Sequence, residues 1–205
     1  AAAPDGWCQQ GAKVLMLGNE ESMKRTRLRA IQAWNGWTED EVAADPLAAL
    51  ARWAAIKSRF IMKDVQEWDL SKVDRYIKRH APDIVIIDQL DKVNMEGTYN
   101  SSHEKLRELY RRAREMAKRH ECALIAVSQA SADAAHRTRL DFSMMENSKT
   151  GKAAEADLII GIGKHAQTDD GEPDTMRFLN VSKNKLSGWH GVVPCNLTKQ
   201  GRYVV

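Results

Sequence analysis

Three short apolar runs in this sequence end on polar residues able to act on a phosphate ester. Gly18-Asn19-Glu20-Glu21-Ser22 follows Lys13–Leu17 (KVLML). Asp88-Gln89-Leu90-Asp91 follows Ile84–Ile87 (IVII), and Ser128-Gln129 follows Ala123–Val127 (ALIAV). A carboxylate directly after a buried strand is the Walker B arrangement, in which it holds a magnesium ion, often through water. Asp88 fits that role. A second carboxylate nearby can polarise an attacking water, because phosphoryl transfer depends on positioning and charge stabilisation. Glu20 or Glu21 could supply it, and the amide of Gln129 could sense a γ-phosphate by hydrogen bonding. Each residue also has a plain structural explanation: strands commonly end in Asp, and Glu20-Glu21 would interact favourably with a helix dipole. The three tips in this order point to nucleotide hydrolysis.

The elements that would position these residues can be read from the pattern. Continuous apolar runs are the signature of strands buried on both faces. Leu158–Ile162 (LIIGI) is a fourth such run, and Arg59–Lys63 (RFIMK) a weaker fifth. Between them lie helical patterns. Ser22 can cap a helix running through Arg25, Leu28 and Ile31. Asp45-Pro46 supplies a cap and a first-turn proline before Leu47, Leu50 and Trp53. Ser71 precedes Val73, Tyr76 and Ile77. Ser102–His120 carries Leu106, Leu109, Tyr110, Ala113 and Met116 on one stripe. Strands alternating with helices predict an α/β fold, a mostly parallel sheet with helices on both faces. Met176–Val181 and Gly191–Val205, joined through Gly-Trp-His-Gly, read as an antiparallel edge hairpin. In such sheets ligands gather at the carboxyl ends of the strands.

Composition narrows the class. The 205 residues are expected to form one domain, 43% hydrophobic and 29% charged, as in a globular chain. No apolar run approaches the roughly 18–20 residues that span a bilayer, so no membrane partner is expected. The N-terminus lacks the basic and apolar regions of a signal peptide. Cys8, Cys122 and Cys195 lie far apart with no C-x-x-C, which argues for a reducing, cytoplasmic setting. The net charge of +3 permits nucleic-acid binding without requiring it.

The ordered segments LGNEES, IVIIDQLDKV, ALIAVSQAS, AEADLIIGIGK and NVSKNKLSGWHGVV resemble the RecA-like ATPase domain of replicative hexameric helicases. These are the DnaB family and the helicase half of phage primase-helicases. The resemblance runs from about Gly11 to Tyr203 and implies a P-loop NTPase core using ATP and Mg2+. It implies that Glu20 is the catalytic carboxylate, with Glu21 the alternative because Gly18-Asn19 leaves the register open by one. Asp88 would be the magnesium ligand and Gln129 the γ-phosphate sensor.

The loop Ala130–Ala154 contains His136, Arg137, Arg139, Lys149 and Lys152. The matching segment of the family lines a central channel and grips single-stranded DNA, so Arg137, Arg139, Lys149 and Lys152 are the expected DNA contacts. Cations on such a loop neutralise phosphates without reading sequence. Val181-Ser182-Lys183-Asn184-Lys185 resembles the family's K-x-R motif, whose cations reach a neighbouring subunit's nucleotide. Lys185 replaces the arginine, and an ammonium lacks the planar fork of a guanidinium. The implied partners are single-stranded DNA, further copies of the chain in a hexameric ring, and a primase domain or partner.

Two features are decoys. Lys149-Thr150-Gly151-Lys152 fails the phosphate-loop pattern G-x-x-x-x-G-K-[ST], because Glu146 stands where the first glycine belongs and Ala153 where the hydroxyl belongs. The tryptophans Trp7, Trp34, Trp37, Trp53, Trp68 and Trp189 read mostly as packing residues rather than base-stacking platforms. No phosphate loop occurs anywhere in the sequence. The resemblance places it upstream of Ala1, an N-terminal truncation that leaves Ala1–Gln10 as the tail of its helix and this chain alone without efficient ATP hydrolysis. The competing readings are a RecA-like recombinase or repair ATPase, and a non-catalytic DNA-binding or loader-like module of the same fold.

Overall fold

A computed structural model describes residues 6–145, 149–165 and 174–205, with the backbone alone for 149 and 150. The chain divides into two compact units. The first comprises Ala1–Thr98, Arg112–Val127 and Lys199–Arg202; the second comprises Tyr99–Arg111, Ser128–Thr198 and Tyr203–Val205.

The first unit is built on a four-stranded parallel sheet. Its strands are β1 (Val14–Gly18), β2 (Phe60–Asp64), β3 (Ile84–Asp88) and β4 (Ala123–Ala126), in the order β2-β1-β3-β4. Successive side chains of a strand face opposite sides. One side of the sheet contributes Val14, Phe60 and partly buried Met16, Met62, Ile84 and Ile86 to a cluster with Ile31, Val42, Ala49, Trp53 and Ile56. Those last residues come from α1 (Met23–Asn35), α2 (Glu39–Ala44), α3 (Pro46–Ala54) and the turn after it. Leu15, Leu17, Val85 and Ile87 point the other way and are buried, as are Val73 and Ile77 of α4 (Leu70–His80) and Ala113 and Met116 of α5 (Ser102–Arg119). Asp74 of α4 ties these two helices together, accepting from Arg119 at 3.0 Å and facing His120 Nε2 at 2.7 Å.

The helix starts follow side-chain chemistry. Ser22 caps α1 by accepting from the Lys24 amide, and Asp45 caps α3 through the Ala48 amide with Pro46 in the first turn. The start of α4 is set by Asp69, not Ser71, because the Asp69 carboxylate reaches the Lys72 amide at 2.6 Å. Helix α2 carries a capping box, Thr38 with Glu41, a signal present in the sequence as T-x-x-E. Gly36 ends α1 in the left-handed conformation that favours glycine, and Arg202 donates to the Ala33 and Trp34 carbonyls of the last turn. Leu47 and Leu50, expected on the packed stripe of α3, are exposed; Ala49 and Trp53 are its buried residues. Helical spacing fixes which residues share a face, and here the face carrying Trp53 is the one turned inward.

The second unit contains an antiparallel sheet of β5 (Leu158–Gly163), β6 (Met176–Asn184), β7 (Gly191–Leu197) and β8 (Tyr203–Val204), in that order. The expected hairpin is β6 and β7, paired from Met176↔Asn196 to Val181↔Gly191. The LIIGI run belongs to this sheet and runs antiparallel to β6. An apolar run gives no direction of pairing, and Leu158, Ile160 and Ile162 are exposed rather than covered on both faces. At β4, the edge strand of its sheet among the described residues, Ile125 is exposed too, as is Val127 directly after it. The K-T-G-K segment forms the short helix α6 (Lys149–Glu155), not a phosphate loop.

Candidate active site

The parallel ladder between β1 and β3 sets Gly18 opposite Asp88. The chain leaving β1 therefore delivers Asn19 and Glu20 beside the residues leaving β3. Asn19 Nδ2 donates to the Gln89 carbonyl at 3.0 Å, and Gln89 Nε2 donates to Glu20 Oε2. The other Glu20 oxygen accepts from Lys92 Nζ at 3.0 Å. Glu21 turns away: it pairs with Arg25 at 3.3 Å and Arg29 at 2.6 Å along α1. Of the two adjacent glutamates, Glu20 is the one bonded to the segment that follows Asp88.

Gln89 has a backbone of φ 60°, ψ 74°, left-handed for a residue with a side chain. That conformation costs roughly 1–2 kcal/mol, and the residue is 6% exposed. The 3-10 turn Leu90–Lys92 follows directly, with the Lys92 amide donating to the Gln89 carbonyl at 3.0 Å. Leu90 is fully buried and anchors the turn, so Lys92 is brought back over the strand tips.

Burial pushes the Asp88 carboxyl above the usual carboxylate range. The nearby charges of Glu20 and Glu21 add to the shift, and Lys92 opposes it. A concentration of negative charge at a strand tip is a setting that a divalent cation relieves. Asn19 Oδ1 is also a buried acceptor, with no hydrogen-bond partner among the described residues. Among those residues no group of three or more His, Cys, Asp or Glu side chains is set to hold a metal. A magnesium ion is commonly held by one or two carboxylates and completed by water and phosphate oxygens, and Asp88 at the end of β3 is the carboxylate that would hold it here.

Asn19, Gln89 and Lys92 were not among the residues expected from sequence. The signal for Gln89 was available, as a polar residue between a strand-ending Asp and an apolar Leu. Its left-handed backbone was not.

The other expected residues lie in the second unit. Gln129 is exposed, shortly after β4. The loop that follows is closed at its base by the Ala130–Met145 bridge and by the Ser131 amide donating to the Met144 carbonyl at 2.7 Å. Arg137 and Arg139 are exposed on it, and Arg137 Nε donates to the Asp133 carbonyl at 2.8 Å. His136, Arg137, Lys164 and Arg177 contribute to the wall of a cavity of about 400 Å3. Gly163 permits this fold of the loop, since a Cβ there would stand 2.6 Å from the Arg137 carbonyl oxygen. The Lys149 side chain lies outside the described residues.

Lys152 departs from the expectation of a DNA-facing cation. It is 1% exposed, donates to Ser128 Oγ at 2.9 Å and lies 5.6 Å from the centre of the Tyr110 ring. Helix α6 turns this side chain inward, where a phosphate backbone has no access. Lys183 donates to the Ala153 carbonyl, and Lys185 pairs with Asp157 at 3.6 Å with both side chains about half exposed.

Four tryptophans pack as expected. Trp53 meets Phe60 edge-on, Trp34 donates to the Arg52 carbonyl, Trp37 lies under the Arg52 guanidinium, and Trp68 meets Tyr76. Trp7 and Trp189 are exposed.

Residues 2–135 match a family model described as AAA domain. Among solved structures, the chain is similar to one described as an ATPase domain, at 21% identity and a TM-score of 0.73 over 94% of this chain and 74% of that one. A DnaB-like replicative helicase, solved in a study of its interactions with primase, matches at 20% identity and a TM-score of 0.73. There the match covers 96% of this chain and 51% of the other, so the chain spans about half that helicase's length. The RadB recombinase matches at 14% identity and a TM-score of 0.54, over 95% of this chain and 79% of that one. A search of curated protein sequences finds no match. With the family model covering more than half of the sequence, the chain belongs to the AAA domain family, and its fold is the RecA-like α/β fold of DnaB-type helicase ATPase domains.

Proposed function

We propose that the chain is the motor domain of an ATP-dependent, DnaB-like DNA helicase that couples ATP hydrolysis to movement along single-stranded DNA. The observation that carries this reading is the delivery of Glu20 and Asp88 to adjacent parallel strand tips, Glu20 bonded to Gln89 directly after Asp88 and Glu21 diverted to α1. In it Glu20 is the carboxylate that orients a water for attack on the γ-phosphorus and accepts its proton. Asp88 would hold Mg2+, which neutralises charge developing on the phosphate oxygens. Gln129 reports the γ-phosphate to the loop it precedes. Arg137 and Arg139, with Lys149, contact the DNA backbone. Lys183 and Lys185 serve a neighbouring subunit's nucleotide in a hexameric ring, where exchange of a surface ion pair such as Lys185–Asp157 costs little. A primase partner and a cytoplasmic setting in a bacterial cell or phage-infected host complete the reading.

A phosphate loop is what holds the nucleotide in this fold and none occurs in this sequence, so nucleotide affinity is measured alongside ATP turnover. Glu20→Gln is expected to abolish DNA-stimulated ATP turnover while nucleotide affinity stays within about threefold, and Glu21→Gln to retain turnover. Full turnover in Glu20→Gln refutes the assignment. The likeness to RadB favours a recombinase as the second reading. Filaments rather than rings on DNA, seen by electron microscopy, would decide for it.

A further inference from the structure

Gln89 stands between the two carboxylates of the proposed site and is used by neither role assigned above. Both of its ends reach the tip of β1. Its carbonyl accepts from Asn19, and its side-chain amide donates to Glu20. It does so from a left-handed backbone and with almost no exposure to solvent. A residue whose backbone sits in a sparsely populated conformation persists there where the surroundings dictate it, and such outliers cluster at functional sites.

We propose that Gln89 is a positioning residue that fixes the direction of the Glu20 carboxylate through its amide. The proposal rests on the reading of Glu20 as the water-orienting carboxylate. A neutral donor suits the task. An amide occupies one oxygen and sets the plane of the carboxylate while leaving its charge available to a water. Lys92, on the other oxygen, is a cation with 46% of its side chain exposed, so its hold is screened by solvent. The left-handed backbone is what directs the amide: it lets the chain leave β3, place Leu90 in the core and still turn the Gln89 side chain toward β1. One residue thereby couples the strand that ends in Asp88 to the strand that ends before Glu20.

The contact can be read without nucleotide. In the 205-residue chain, the Gln89 side-chain amide protons are expected to give an NMR signal protected from solvent exchange, and Glu20→Ala is expected to abolish that protection. An amide signal unmoved by Glu20→Ala overturns the proposal. In the native protein, Gln89→Asn retains an amide and tolerance of the left-handed backbone but is one methylene too short. Gln89→Gly relieves the backbone and removes the side chain, and so guards against a variant that fails only because it misfolds. Both are expected to lower kcat about tenfold to hundredfold, with KM for ATP within about twofold, the signature of a misdirected catalytic group. Wild-type kcat in both variants, with Glu20→Gln inactive, overturns the role of Gln89 and leaves that of Glu20 standing. Wild-type kcat in Glu20→Gln removes both.

Discussion

Replacing Lys152 separates a buried structural cation from a DNA contact. Lys152→Ala removes three methylenes from a fully buried stem, worth about 0.8 kcal/mol each or about 2.4 kcal/mol together. It also removes a charged hydrogen bond to Ser128, worth about 1.5–3 kcal/mol, and a cation–π contact with Tyr110 of about 0.5–2 kcal/mol. Against these losses stands relief of the ammonium's desolvation, several kcal/mol in the opposite direction. Lys152→Met keeps most of the stem and loses the polar interactions and the desolvation together, so it should lie within about 1 kcal/mol of the parent. The two variants should therefore differ by about 2–2.5 kcal/mol in urea unfolding, with alanine the less stable. On single-stranded DNA, the slope of log Kobs against log salt should be unchanged in Lys152→Met. Loss of one phosphate contact, as expected for Arg137→Ala or Arg139→Ala, lowers that slope by about 0.7. A slope reduced by that amount in Lys152→Met, with stability intact, would show that Lys152 reaches DNA and that the inward placement is not the binding state.

Two further outcomes follow from the first unit. Folding raises the proton affinity of Asp88, so the protonated form favours the folded state below the unfolded value of about 3.9, and that contribution is lost as pH rises through the higher folded value. Asp88→Asn, neutral throughout, should raise the urea midpoint at neutral pH, make little difference in strong acid, and eliminate magnesium-dependent turnover. A lower midpoint at neutral pH would contradict the charge crowding described here. Trp53→Ala, which empties the contact with Phe60 at the centre of the α1–α3 cluster, should cost about 3–5 kcal/mol in thermal or urea unfolding; a loss under about 1 kcal/mol would mean the cluster collapses to fill the space.

What the sequence disclosed and what it concealed divide along physical lines. The strand before Asp88 was legible because IVII is continuous, apolar and ended by a charge. Ser22 and Asp45-Pro46 were legible because a cap acts within three residues of itself. Which of Glu20 and Glu21 meets the α1 arginines and which meets the segment after β3 was not, since that is a tertiary fact. The burial of Lys152 was hidden because cations on a polar loop ordinarily face water, and only the partners Ser128 and Tyr110 reveal the exception. The direction of β5 was hidden because a hydrophobic run encodes burial and not the sense of pairing.

The placement of Glu20 against Gln89 also bears on how the proposed site is assembled. These residues are 69 apart in sequence, and β1, which delivers the first, is the strand flanked by both β2 and β3. No local segment can assemble this contact. It exists only after a long loop has closed, whose entropic cost precedes the reward of pairing. A nascent chain that has folded α1 to α4 but not docked β3 would hold its glutamate without the partners that direct it. The Glu20–Gln89 contact would arrive in one step with the β1–β3 ladder, which makes exchange protection of the β1 amides a direct clock for its formation.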